Sequence, residues 1–368
     1  MRTSNCPQRV KSKRVTTTIV LSIFTSACLF ASPVWADSDA TQPYSNTSVL
    51  DKAKALSAQG KHTDAFKLLK TIPKSESSYL AMITNLASID LDDAEETADE
   101  AVGAFPNSAE LHFLRGVIMG NQAQSSIFSA LSYAEKSLNS FVKASQLEPT
   151  EIKYRKSLMS FYLVAPSIAG GDEKLALEQL KAIQDADPFE GTSSQVMFFR
   201  MSGQAEKAEE ALVQAISTYP DEISFVFQLA SFYAQEEKYV QAMPLFQKAA
   251  NMPSPEFAIN ETTGESEDIF VRNASAKLNA LYQIGRTAVL TEKNTTEGLA
   301  AMAKLQAAIE HTKLDDEQLP NMEWAKARIA ELHIQSGDKK AASELLAKIA
   351  FEGNKDLKKQ VKKLKKRL

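Results

Sequence analysis

The feature that most constrains this chain is an internal period of 34 residues. When Phe199, Ala208, Leu212 and Ala215 are laid over Tyr233, Ala242, Phe246 and Ala249, every shared position falls 34 residues downstream. A fixed period of about 20 to 50 residues marks a stack of identical supersecondary units rather than one globule. The pattern inside the unit is steric. Two helices packed about 8–10 Å apart tolerate only alanine or glycine at closest approach, with larger side chains interdigitating on either side. Pro106, Pro149, Pro188 and Pro220 stand where the second helix of a unit has to stop, because proline lacks a donor and disfavours helix in the residue before it. With only 13 Gly and 13 Pro in 368 residues, the chain lacks the turn residues that an all-β fold needs.

The clearest copy starts at Ile223. It has Val226, Leu229, Ala230 and Tyr233 on a first helix, then Ala242, Phe246 and Ala249 on a second. This pattern resembles the tetratricopeptide repeat, a helix A, turn, helix B unit. The resemblance implies an all-α, right-handed superhelical solenoid of helix-turn-helix repeats. Weaker copies extend it in both directions. One has Leu56, Gly60, Ala65 and Leu69, and the next has Ala94, Ala98 and Ala101. A third pairs Gly116 with Phe141 and Ala144, with extra residues between. A fourth runs from Tyr154 and Phe161 through Gly170, Gly171 and Asp172 to Ala176, Leu180 and Ile183. After Ala250 the apolar period stops. Residues 255–271 are expected to form an acidic loop, with helix resuming near Arg272. Leu281, Ile284, Gly285 and Ala288 then fit a first helix and Gly298, Leu299 and Met302 a second, one residue out of register, and a last copy carries Ile329, Ala330, Ala342, Leu346 and Ile349. The expected organisation is repeats over 46–254 and again over 272–353, about eight helical pairs in all.

Residues 1–36 read as a secretory signal. Arg2, Arg9, Lys11, Lys13 and Arg14 precede an uncharged run over 15–30, and Val34, Trp35 and Ala36 supply an A-x-A-like cleavage site. The run is shorter than the ~20 apolar residues of a membrane span. Cleavage after Ala36 leaves a flexible stretch at 37–45 and places the protein in the periplasm. Both cysteines, Cys6 and Cys28, fall in the removed part, so packing alone must hold the mature chain.

A chain starting at Asp37 loses five of 42 basic residues and none of 46 acidic ones, for a net charge of −9. Nucleic acid is therefore not an expected partner. The C-terminus dissents, with eight Lys/Arg and one Asp over 354–368. Leu357, Val361, Leu364 and Leu368 give that segment an apolar stripe, so a basic amphipathic helix is expected. It either caps the last repeat or contacts a membrane surface through Lys358, Lys359, Lys362, Lys363, Lys365 and Lys366.

Signatures of chemistry are missing. His62, His112, His311 and His333 are scattered with no i, i+4 pair, and there is no nucleophile elbow, phosphate-cradling glycine loop or cysteine nucleophile. No enzyme, metal or cofactor is expected. Asp90, Asp92 and Asp93 lack the spacing of a calcium loop and read as a helix start, and Asp172 reads as a helix cap. In the tetratricopeptide family the concave face is lined by helix-A positions 2, 5, 9 and 12. The resemblance assigns to that face Phe113, Val117, Arg155, Met159, Tyr162, Met197, Arg200, Phe227, Tyr282 and Arg286. Aromatics, Met and Arg are enriched where proteins meet proteins, which implies a protein or peptide partner in the groove of a non-enzymatic scaffold. The alternative is a structural component of an envelope transport or secretion assembly, held to the membrane by its basic C-terminal helix.

Overall fold

The computed structural model describes residues 45–126, 128–254, 268–314, 318–351 and 353–368. The expected signal at 1–36, residues 37–44 and the acidic stretch 255–267 lie outside them. Two compact units divide the chain inside one helix: residues up to Ser157 together with Ile168–Gly170, and Leu158–Ser167 with everything from Gly171 on.

In unit 1 the helices are α1 (Ser45–Ala58), α2 (His62–Leu69), α3 (Glu76–Leu86), α4 (Leu91–Ala104), α5 (Ala109–Ser125) and α6 (Ala130–Leu147). The dividing helix is α7 (Ile152–Val164). Unit 2 holds α8 (Glu173–Ala186), α9 (Pro188–Met201), α10 (Ala205–Thr218), α11 (Ile223–Gln235) and α12 (Tyr239–Asn251). It continues with α13 (Asp268–Thr291), α14 (Thr295–Ile309), α15 (Met322–Gln335), α16 (Lys339–Ala347) and α17 (Lys355–Lys365). Among the described residues there is no strand and the fold is all-α: eight consecutive helix pairs, α1/α2 to α15/α16, followed by α17.

Local chemistry sets the boundaries. Asp90 caps α4 by accepting from the N–H groups of Asp92 and Asp93, and Asp172 caps α8 from those of Lys174 and Leu175. Helices α4, α6, α8 and α10 each end two residues before Pro106, Pro149, Pro188 and Pro220, and Pro188 opens α9 as its first residue. Gly171 is required by close approach, since a Cβ there would lie 1.7 Å from the Ala165 carbonyl oxygen.

The small residues sit where the steric argument puts them. Ala65, Ala94, Ala98, Ala101 and Ala144 in unit 1 are fully buried, as are Ala208, Ala215, Ala242 and Ala249 in unit 2. At Gly116 a Cβ would meet the Phe141 ring at 2.6 Å, and at Gly285 it would meet Met302 at 2.4 Å. The extra residues of the third hairpin lengthen both α5 and α6 rather than forming a long loop.

One boundary differs from expectation. Helix resumes at Asp268, inside the stretch expected as loop, and α13 runs 24 residues. The added turn brings Arg272 and Asn273 to the start of α11. Asn273 Oδ1 accepts from the N–H groups of Ile223 at 2.7 Å and Ser224 at 3.3 Å, capping a helix about fifty residues upstream. Glu222, also buried, binds Arg272 through both oxygens, and the guanidinium lies 4.3 Å from the Phe189 ring centroid.

Candidate functional site

The proposed concave positions do not all stay open. In unit 1 Phe113 is only 4% exposed and belongs to the core. Its ring lies 6.0 Å from Phe141 and 5.4 Å from Tyr154, with the Lys153 ammonium over its face. The elongated α5/α6 hairpin and the start of α7 close around it. Arg155 is half-buried and donates through Nε to the Pro149 carbonyl at 2.7 Å. Val117 is partly accessible.

In unit 2 Met159 is likewise lost as a partner contact. It is fully buried with Ala176, Leu180 and Phe198, because the long turn before α8 lets that hairpin close over it. Tyr162 and Met197 pack at the edge of this cluster and keep partial exposure. Burial raises the Tyr162 hydroxyl pKa, and the charges of Asp172 and Glu178 add to the effect. Phe227 is half-buried with its ring 5.9 Å from that of Phe246. Tyr282 is also half-buried, against the core formed by α11 to α15.

The two arginines among the proposed positions of unit 2 differ from the rest. Arg200, at the end of α9, is exposed, yet the protein mass around it lowers its pKa through desolvation. No side-chain partner for it stands among the described residues. Arg286 donates only to the neutral Gln283 amide, at 3.3 Å. Neither forms an ion pair with a carboxylate among the described residues, although Glu237 lines the same hollow as Arg286.

Arg286 also lines a hollow of about 460 Å³ between α11, α12 and α13. Ser231, Ala234 and Gln235 come from α11, Glu237 from the turn, Tyr239 and Phe246 from α12, and Gln283 from α13. The lining thus has an aromatic floor, amide and hydroxyl rims, one guanidinium and one carboxylate, that of Glu237 in the turn. It can accept a chain that offers carbonyls, amides and a carboxylate; it has no histidine and no paired acids to move protons. Among the described residues there is also no cluster of metal-ligating side chains. Sequence reasoning missed Ser231, Gln235 and Gln283. Ser231 occupies the same repeat position as Arg286, but a small polar residue there carries no signal of protein contact, whereas aromatics, Met and Arg do.

At the far end of unit 2, α17 buries Leu357, Val361 and Leu364 against α15 and α16. Arg367 and Gln360 hold the buried Glu331 of α15. Lys358, Lys359, Lys362, Lys363, Lys365 and Lys366 all point to solvent. The helix therefore covers the last hairpin. No described helix is long and apolar enough to cross a membrane.

Repeated helix pairs with buried alanine or glycine between them define the class by fold: an all-α helical-repeat protein whose pairs resemble tetratricopeptide repeats. No family model matches the chain, and no curated protein does. Among solved structures it is similar to a tetratricopeptide repeat protein from Parabacteroides merdae, 13% identical, with 78% of this chain and 98% of that one covered and a TM-score of 0.45. It is also similar to a thermophilic tetratricopeptide protein of Thermus thermophilus, 15% identical, with 52% and 100% covered and a TM-score of 0.42. The class rests on the chain's own hairpins rather than on these likenesses.

Proposed function

We propose that this protein is a non-enzymatic scaffold that holds a protein or peptide partner on the helix-A face of unit 2. The observation that carries the reading is the hollow beside Arg286, with polar rims and a cation that forms no ion pair among the described residues, Glu237 on the rim included. Arg200 supports it as a second accessible cation in a partly desolvated setting. The partner is a segment with at least one carboxylate and an apolar side chain for the half-buried Phe227. A stacked array presents such contacts already ordered, which reduces the entropy lost on binding. We assign the protein to the periplasm on the N-terminal signal pattern, and sequencing the N-terminus of the exported chain should start at Asp37.

The partner is tested by photo-crosslinking. A benzophenone amino acid at Ser231 or Gln283 should yield the same protein adducts in the native envelope, while the exposed outer positions Gln214 and Lys304 should not. Equal adducts from all four positions, or none from the first two, refute the assignment.

A second reading has its own observation. The lysines of α17 are free and exposed, while its apolar face is already used. Any membrane attachment is therefore electrostatic adsorption, about 1 kcal/mol per Lys near an anionic surface, without insertion. Phosphatidylglycerol vesicles that bind the chain equally in low and high salt contradict it.

A further inference from the structure

Unit 1 has a surface that the groove reading does not use. Among its described residues four large apolar side chains are exposed: Ile89, Phe128, Leu131 and Ile168, at 41%, 99%, 48% and 81%. All four lie in or beside the turn that joins the first helix of a hairpin to the second. Ile89 follows α3, Phe128 separates α5 from α6, Leu131 begins α6, and Ile168 stands in the turn after α7. None lies on a turn between hairpins, and the one within a helix, Leu131, is in the first turn of α6. Single exposed apolar residues need no explanation, but confinement to one kind of turn does.

Hydrogen bonds show that two of these turns adjoin. Gln122, in the last turn of α5, donates through Nε2 to Asp92 at 2.6 Å and to Glu95 at 3.3 Å, both in the first turns of α4. Lys136 of α6 reaches the same Glu95 at 3.0 Å. Ile89 on one turn and Phe128 with Leu131 on the next therefore share an edge.

The charge of the edge is one-sided. Residues 90–96 include five acids and no base, and residues 116–135 contain no Lys or Arg. Asp93 and Glu96 are exposed, and their carboxylates have no partner among the described residues. The Asp90 carboxylate accepts only backbone N–H groups, and Lys136 is already engaged by Glu95. An anionic lipid surface is repelled by such an edge. A second copy of this chain does not supply the complement through α17, whose apolar stripe is buried.

We propose that this edge docks a basic amphipathic segment of a partner protein, with its apolar side chains on Ile89, Phe128 and Leu131 and its Lys/Arg beside Asp93 and Glu96. The site is independent of the unit 2 face. Docking of this kind joins a buried apolar anchor to rim charges that set specificity.

The test uses the full exported chain and a fluorescent amphipathic Leu/Lys peptide of about 18 residues, followed by anisotropy, with a Leu/Glu peptide of the same pattern as control. The Leu/Lys peptide should bind and the Leu/Glu peptide should not. Affinity should fall about tenfold or more in Phe128→Ser/Leu131→Ser and in Asp93→Asn/Glu96→Gln, with helical circular dichroism unchanged. Val213→Ser/Glu210→Gln, an exposed apolar and acidic pair on α10, should bind like the wild type. The proposal is overturned if the edge variants bind normally, if the α10 variant loses as much, or if the Leu/Glu peptide binds equally well. It is also overturned if phosphatidylglycerol vesicles bind through the same side chains, or if sedimentation shows a dimer that Phe128→Ser abolishes.

Discussion

Replacing Asn273 by alanine interrogates how unit 2 is held together. Asn273 is 1% exposed, accepts from two N–H groups at the start of α11 and donates to Glu222 at 3.3 Å. Losing an ordinary N-cap costs about 0.5–2 kcal/mol, because water takes over the freed donors. Here the freed donor belongs to Ile223, which is 0% exposed. Water cannot reach it, and an orphaned buried donor costs about 1–3 kcal/mol. The two figures overlap in part, so the expected loss is about 2–4 kcal/mol. The exposed cap Asp172, removed by Asp172→Ala, should cost only about 1 kcal/mol. In a chain beginning at Asp37, Trp324 is the only tryptophan and lies in unit 2, so its fluorescence during urea unfolding reports this unit. Equal losses for Asn273→Ala and Asp172→Ala, or no shift in midpoint for Asn273→Ala, refute the argument that α13 caps α11.

Three further outcomes follow from packing and charge. Ala242→Leu should cost about 1–3 kcal/mol by forcing α11 and α12 apart, and an unmoved urea midpoint contradicts the register. Gly116→Ala places a methyl 2.6 Å from the Phe141 ring and should lower the midpoint of unit 1, with partial recovery in Gly116→Ala/Phe141→Leu; no recovery points to another cause. Burial pushes the His112 imidazole below its usual pKa, against the opposing effect of its 3.0 Å contact with the Pro106 carbonyl. The unfolded chain then takes up the proton first, so this group's stabilising contribution is complete above about pH 6.5 and is lost as pH falls through the folded value. His112→Gln should flatten the decline in stability below about pH 6.5, and an unchanged slope contradicts the assignment.

The hairpins were legible because their determinants are local or strictly periodic. Ala208, Ala242 and their equivalents mark closest approach, the four prolines mark helix ends, and Asp90 and Asp172 announce caps. The start of α13 was not legible, because residues 268–271 have no apolar period of their own. They are helical where Arg272 and Asn273 meet Glu222 and the N-terminus of α11, partners about fifty residues away. The site was legible only as a set of positions. Whether a residue such as Phe113 or Met159 faces a groove or a core depends on hairpin length, and α5/α6 and the turn before α8 both depart from the repeat. The hollow was missed because Ser231 and Gln283 carry no signal in a single sequence; their meaning comes from Arg286 standing across from them.

The central claim is the proposal that unit 2 binds its partner through Arg200 and Arg286, which form no ion pair among the described residues. Isothermal titration of the protein captured from Ser231 and Gln283 tests it most directly, with Arg200→Gln/Arg286→Gln set against Arg155→Gln. The account predicts about tenfold or greater weakening and a shallower salt dependence in the double variant, with Arg155→Gln unchanged, since that guanidinium is tied to the Pro149 carbonyl. Equal weakening by Arg155→Gln, or none by the double variant, contradicts it.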